Sequence, residues 1–253
     1  LLFACSLLMM MAACGKSKKD DGTLTPKYGG TLVYTKNNPP VTLDPALTTE
    51  TESTIPCDNI FDPLLQLKLG TTGIAPALAR SWDISKDGLV YTFHLRSGVT
   101  FHDGTPFNAD AVLFSFNRQY DVKNPYHFGV DKFEYWKNFS MDLIIKNINA
   151  LDDTTVQFKL FTPNATFLYI VSMQFTAIVS PTAMKKWGDQ FYKHPVGTGA
   201  FRFVSWDTDG MLTLDANPDY WDGRPYLDKI LFKAEHEAGQ RMAKLLSGEC
   251  HMI

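Results

Sequence analysis

The sequence predicts a mixed α/β domain rich in antiparallel pairing, and three observations carry that reading. Residues 82–96 form two alternating strands around Lys86-Asp87-Gly88, where the glycine supplies the positive φ of a hairpin turn. A second hairpin joins 143–148 to 155–160 through Leu151-Asp152-Asp153. Helical periodicity is confined to isolated stretches, residues 108–120 above all, so strands and helices do not alternate as they would in a βαβ array.

The other elements follow in chain order. Residues 30–35 are β-branched and alternating, a first strand, and 37–45 make an extended, proline-rich loop. Residues 48–54 are a polar loop of hydroxyls with Glu50 and Glu52. Residues 55–69 hold a short helix and then a strand at 64–69, and 75–82 read as a compact helical turn leading into the first hairpin. Asp103-Gly104 is a turn. The helix over 108–120 is started by Asn108 or by Ala109-Asp110, with Val112, Leu113, Phe114 and Phe116 as its apolar face. Residues 163–172 and 181–187 are helical, and 201–206, 211–214 and 229–233 are strands. A helix over 237–246 turns Ala238, Met242, Leu245 and Leu246 to one side, Ser247-Gly248 ends it, and 250–253 begin another strand.

The chain of 253 residues is 45% hydrophobic and 20% charged, ordinary values for a globular protein, and its 13% aromatic content suits a large core or a ring-lined pocket. A net charge of −3 excludes nucleic acid as the expected partner, since neutralising phosphates needs a basic surface.

Residues 1–13, LLFACSLLMMMAA, carry no charge. As a helix they would span about 20 Å, short of the ~30 Å hydrocarbon core, which matches the apolar region of a secretion signal. The run ends at Met11-Ala12-Ala13-Cys14-Gly15, which resembles the lipobox of bacterial lipoproteins and implies acylation of Cys14, with Met11 standing where leucine is usual. A polar tether follows at once. The expected division is a signal at 1–13, a tether at 14–28 and a binding domain at 29–253. With no initiator Met or basic residues before the apolar run, and a strand just begun at 250–253, the expectation is an N-terminal piece of a longer protein.

Several blocks together resemble the family 5 solute-binding proteins, the peptide, nickel and related receptors of bacterial ABC importers. They are Trp82-Asp83, Asp87-Gly88, Tyr91 to Arg96, Gly98-Val99, Phe101-His102-Asp103-Gly104 and Asn108 to Val112, then Pro195-Val196-Gly197-Thr198-Gly199-Ala200-Phe201, then Asn217-Pro218-Asp219-Tyr220-Trp221 with Leu227 to Ile230. Thr31-Leu32-Val33-Tyr34, Leu69-Gly70-Thr71-Thr72, Asn124-Pro125-Tyr126-His127, Phe133-Glu134-Tyr135 and Lys244 to Cys250 are similar to the dipeptide-binding branch in particular. The resemblance implies a periplasmic-binding-protein-like type II clamp, α/β, of which this chain holds most of the first lobe. The second lobe, where relatives hold the two charged ends of a peptide, is not expected here.

By the same resemblance, the loop after the first strand and a ring near the Phe-Glu-Tyr block wall the pocket. The matching residues are Thr49, Glu50, Thr51, Phe133 and Tyr135. A solvated loop for the first three and core packing for the two rings are the competing readings. Cys57 and Cys250 could close a disulfide or remain free buried thiols. In dipeptide-binding relatives the residue at the Cys250 position pairs with a cysteine just after the first strand, and here Thr35 stands there, leaving Cys250 free or Cys57 as its partner.

An exported hydrolase is the main rival. The six histidines show no metal-ligand spacing, and no G-x-S-x-G elbow is present, so no catalytic residue, metal or cofactor is expected. A sensor or adhesin lipoprotein of the same fold is a second rival. Within the family the ligand could be haem, glutathione, nickel or an oligosaccharide, and a short peptide fits the branch-like blocks best. The expected partners are a permease and its ATPase, a membrane through the lipid anchor, and no second copy of the chain.

Overall fold

The computed structural model describes residues 26–128 and 132–253. In chain order the first elements are β1 (Thr31–Lys36), α1 (Thr51–Ile60), β2 (Leu65–Leu67), β3 (Ile74–Pro76), β4 (Ala79–Ile84) and β5 (Val90–Leu95). Next come α2 (Ala109–Tyr120), α3 (Glu134–Asn138), α4 (Met141–Ile144), β6 (Ile145–Asp152), β7 (Thr155–Leu160) and α5 (Phe167–Ile170). The last are α6 (Pro181–Trp187), β8 (Phe201–Trp206), β9 (Leu212–Ala216), β10 (Lys229–Ala234) and α7 (Ala238–Ser247). Short 3₁₀ turns occupy Pro45–Leu47, Gln174–Thr176 and Gly188–Lys193.

The strands form two four-stranded sheets and a ribbon. One sheet runs β4-β5-β7-β6, antiparallel throughout, and contains both predicted hairpins. Alternation sets its inner face: Tyr91, Phe93 and Leu95 are buried on β5, and Val156, Phe158 and Leu160 on β7. The register places Phe93 opposite Val156 and Tyr91 opposite Phe158. The other sheet runs β1-β10-β9-β8, with β1 parallel to β10 and the remaining pairs antiparallel. β2 and β3 make the ribbon.

Helix α2 joins the two cores. Asn108 caps it by accepting the Ala111 N–H at 3.1 Å. Val112 and Phe116 pack on the β4-β5-β7-β6 sheet, with the Phe116 ring 5.0 Å from that of Phe158. Leu113 and Phe114, read as part of that apolar face, are only half-buried, and Phe114 turns to Tyr126 on the side of the second core. The face that crosses to that core is polar and fully buried. Ser115 Oγ accepts the Val179 N–H at 3.1 Å, Gln119 Nε2 donates to Phe175 O at 2.9 Å, and Arg118 makes a bidentate pair with Asp44 at 2.7 and 2.6 Å. These three residues fasten residues 175–179, which lie between α5 and α6, and the loop after β1 to one helix.

Three readings of the sequence are corrected. Residues 75–82 are not a helical turn but β3 and the start of β4, because Leu78 O accepts Arg96 N–H and Ala77 and Ala79 both donate to Leu64 O. Pairing with distant strands overrides the local propensity of an alanine-rich stretch. The polar stretch at 48–54 is not all loop: α1 starts at Thr51, with Thr54 N–H on Glu50 O and the Glu50 carboxylate accepting the Ser53 hydroxyl. The strand expected over 64–69 shortens to β2, since Lys68 N–H turns to Gly73 O around Gly70 at φ +72°.

The predicted strand at 250–253 is a single parallel bridge on β1, Tyr34 with Met252, held by Thr35 N–H on Met252 O and His251 N–H on Val33 O. Cys57 and Cys250 are both buried and both free, so among the described residues the Cys57–Cys250 pairing is not made. Cys57 lies within the second core beside Ile60 and Phe61, and burial raises its thiol pKa well above the usual range. Among the described residues no helix is long and apolar enough to cross a membrane, and Cys14 lies outside them.

Candidate ligand groove

The loop after β1 determines where α1 lies. Ser53 Oγ accepts the N–H groups of Val41 and Thr42 at 2.9 and 3.1 Å, tying the loop back to the first turn of the helix. Asp44 is clamped to Arg118, and its Oδ1 also accepts Ala46 N–H at 3.1 Å. Lys36, at the end of β1, donates to Thr51 O at 2.7 Å, and burial lowers its pKa against the pull of Glu52 and Glu50. Held this way, α1 presents Thr51, Thr54 and Asp58, spaced by three and four residues and therefore on one face.

Thr54 and Asp58, with Thr48 beside them, form one wall of a groove of about 460 Å³. It is also lined by Tyr135 from α3, Tyr169 at the surface of α5, Leu67 of β2, and Ser172, Met173, Gln174 and Phe175 from the segment after α5. Tyr135 and Phe139 both lie against the Phe175 ring, at centroid distances of 5.8 and 5.6 Å, which fixes the aromatic wall from behind.

The polar groups of the groove divide into two kinds. The hydroxyls of Thr48, Thr54 and Ser172 donate to their own backbone, at Pro45 O, Glu50 O and Tyr169 O, and keep lone pairs for a ligand. Among the described residues the Asp58 carboxylate has no hydrogen bond or ion pair, and Gln174 Nε2 is buried without a partner. Water reaches Asp58, but most of its surroundings are protein, and that burial raises its pKa to about 6. No histidine, cysteine or basic side chain lines the groove, and among the described residues no group of three or more His, Cys, Asp and Glu is placed to hold a metal. The arrangement is suited to holding a solute.

The structure separates the five residues singled out by resemblance. Tyr135 lines the groove. Thr51 heads the same helical face one turn above Thr54, while Thr49 and Glu50 sit at the helix entrance, where Glu50 accepts Ser53 Oγ and the Thr49 hydroxyl and N–H. Phe133 is 2% exposed and packs between His127, 4.9 Å away, and the Arg118 guanidinium at 5.8 Å, so it belongs to the core. Thr48, Thr54, Asp58, Tyr169 and Gln174 were missed. The spacing of Thr54 and Asp58 would have shown a shared face once the helix was started at Thr51.

The blocks that carry the family resemblance lie elsewhere, around the buried carboxylate of Asp62. It accepts from Thr198 Oγ1 at 2.6 Å, Trp221 Nε1 at 2.9 Å and Tyr220 OH at 3.0 Å. Burial raises its pKa and those three donors oppose the rise. The Arg96 guanidinium covers the Trp221 ring at 4.3 Å. His102 Nε2 donates to Gly199 O at 2.9 Å, Asn217 Nδ2 reaches the same carbonyl, and Ser180 Oγ donates to Asp103 at 2.6 Å. Gly197 and Gly199 lie so close to the backbone of Asn59 and Ile60 that a Cβ at either would collide with it. These blocks lock the end of α1 to the two sheets and hold the groove wall without lining the groove.

Comparison with known proteins accords with this arrangement. The model of the bacterial extracellular solute-binding proteins, family 5, matches residues 73–253. A heme-binding protein A of Haemophilus influenzae is 38% identical over 97% of this chain and 48% of its own length. A dipeptide-binding protein of Escherichia coli is 37% identical over 88% of this chain and 44% of its own. The chain spans about half the length of the curated relatives it matches. An ABC transporter-associated periplasmic binding protein of Helicobacter pylori, solved with the peptide STSA, superposes with a TM-score of 0.85 at 43% identity, over 89% of this chain and 46% of that one. A dipeptide-binding protein of Pseudoalteromonas, solved with Met-Leu, gives 0.83 at 32% identity, over 87% and 46%. The two sheets, one antiparallel and one mixed, are thus part of a type II periplasmic-binding-protein fold.

Proposed function

The chain belongs to the bacterial extracellular solute-binding proteins of family 5, and on that premise we propose that it is the capturing lobe of a short-peptide receptor serving an ABC importer. The groove between α1 and the aromatic wall carries the reading. Its hydroxyls and amide can hydrogen-bond a peptide backbone without selecting a sequence, while Tyr135, Tyr169 and Phe175 cover apolar side chains. The relatives solved with STSA and with Met-Leu support a peptide as the ligand class.

The receptor acts outside the cytoplasmic membrane as a single copy, held by a lipid on Cys14 with 14–28 as tether, and passes its ligand to a permease and ATPase without changing it. Residues 29–253 supply the first lobe of the clamp. Thr49, Glu50, Thr51 and Tyr135 line or border the ligand, with Phe133 supporting them from the core. Calorimetry on the full-length protein with a panel of di- and tripeptides tests the reading: saturable heat with several is expected, and none with any peptide, alongside binding of a different solute, overturns it. Haem capture is the second reading, favoured by the 38% identical relative, and a haemin titration followed by absorbance separates the two.

A further inference from the structure

We propose that Asp58 makes this groove a subsite for a cationic group on an alkyl stem, the ammonium or guanidinium side chain of a basic peptide. The inference rests on the peptide reading and names the side chain that reading leaves open. Three features of the groove converge on it.

The first is charge. Asp58 is the sole ionisable carboxylate among the lining residues, and no lysine, arginine or histidine faces it there. It also lacks the hydrogen bonds that occupy the acids nearby: Asp44 is held by Arg118, Asp62 by three donors, and Glu50 by Ser53 and Thr49. Asp58 is open to solvent on the groove side and so accessible to a ligand cation, while the protein around it pushes its pKa up to about 6. A ligand cation would favour its ionised form.

The second is the aromatic lining. Tyr135 and Tyr169 line the same groove as Asp58, and an aromatic ring attracts a cation that a carboxylate also holds. Leu67 and Met173 supply apolar surface for the stem that carries the charge. The third is the unpartnered Gln174 amide: its Nε2 is a buried donor without an acceptor, which a peptide carbonyl would satisfy beside the charged group.

The experiment compares peptides that differ only in the ammonium. Ala-Lys and Lys-Ala are titrated into the full-length protein by calorimetry at neutral pH, against Ala-norleucine and norleucine-Ala, which keep the stem and lose most of the polar head. The wild type should prefer at least one lysyl peptide over its norleucine partner by about tenfold, within the range of a cation–π contact reinforced by a nearby carboxylate. Asp58→Asn should bring that ratio to about one, and a far-UV circular dichroism spectrum matching wild type shows that the variant folds. An unchanged ratio in Asp58→Asn, or no preference in the wild type, overturns the assignment. If no peptide binds at all, the peptide reading fails by itself. Asp58 is then read with n-pentylammonium and 1-pentanol by saturation-transfer NMR. Contacts to the ammonium that vanish in Asp58→Asn uphold the subsite, and equal contacts in both proteins overturn it.

Discussion

Replacing Asp44 by Asn should destabilise the protein by about 3–5 kcal/mol, because it strands a buried cation. The Asp44 and Arg118 side chains are 1% and 0% exposed. Both terminal nitrogens of the guanidinium donate to Asp44, at 2.7 and 2.6 Å, and its Nε has no partner. Among the described residues Asp44 is therefore its only hydrogen-bond acceptor. Asn keeps the shape of the side chain, but it offers one carbonyl oxygen and no charge, so the desolvated guanidinium loses most of its compensation. The loss is a large share of a total stability of about 5–15 kcal/mol. With a urea m-value of about 3 kcal/mol/M, the unfolding midpoint should fall by about 1–1.5 M with m unchanged. Urea titration followed by tryptophan fluorescence reads this directly. The paired replacement Asp44→Leu with Arg118→Met removes both charges and should recover most of the loss. A fall in the Asp44→Asn protein of under about 0.5 kcal/mol would refute the reasoning. So would a paired variant as unstable as the sum of its two single replacements.

Two further predictions test the Asp62 region and the helix beyond it. Burial holds the His102 pKa down at about 4, with Nε2 donating to Gly199 O and Nδ1 unpartnered, whereas in the unfolded chain the ring protonates near 6.5. The unfolded state then binds more protons between those values, so stability from this group is complete above about pH 6.5 and is lost as pH falls toward 4, by about 2–3 kcal/mol. His102→Gln, which keeps a donor for Gly199 O, should flatten that part of the pH profile relative to wild type, and two parallel profiles over pH 4–7 would count against it. Gly199→Ala should cost about 1–3 kcal/mol or more, since its Cβ meets the backbone of Asn59 and Ile60. Gly239→Ala, with open space around it on α7, should instead stabilise by up to about 1 kcal/mol, and the pair of melting temperatures should move in opposite directions.

How far the site was legible depends on how local its signals are. Phe133 and Tyr135 were read together as pocket rings, yet only Tyr135 reaches the groove. Phe133 is the residue before α3 and Tyr135 the second within it, and two positions at about 100° each point to nearly opposite sides. The hydroxyl-rich stretch looked like loop because Thr and Ser favour turns, and the Glu50–Ser53 contact that helps start α1 at Thr51 is a side-chain pairing that propensity does not weigh. Nothing next to Arg118 in the sequence marks it as buried; that depends on Asp44, 74 residues earlier in the chain.

By itself, the sequence determined the features whose causes lie within a few residues. The Lys86-Asp87-Gly88 turn and its flanking alternation are sufficient for β4 and β5, with Gly88 at φ +69°. Asn108 is sufficient to start α2, and the ordered blocks from Trp82 to Trp221 are sufficient to identify the family. The tertiary structure decided everything that depends on distant segments meeting. β1 pairs in parallel with β10, nearly the whole chain away, and α2 buries a polar face because Asp44, Phe175 and Val179 lie against it. The family blocks became a lock around Asp62, and the groove came to lie between α1 and Tyr135. A turn or a cap is stabilised by neighbours that chain connectivity already holds close. A groove exists only after long loops have closed, and those contacts are specified by packing and by the pairing of buried polar groups.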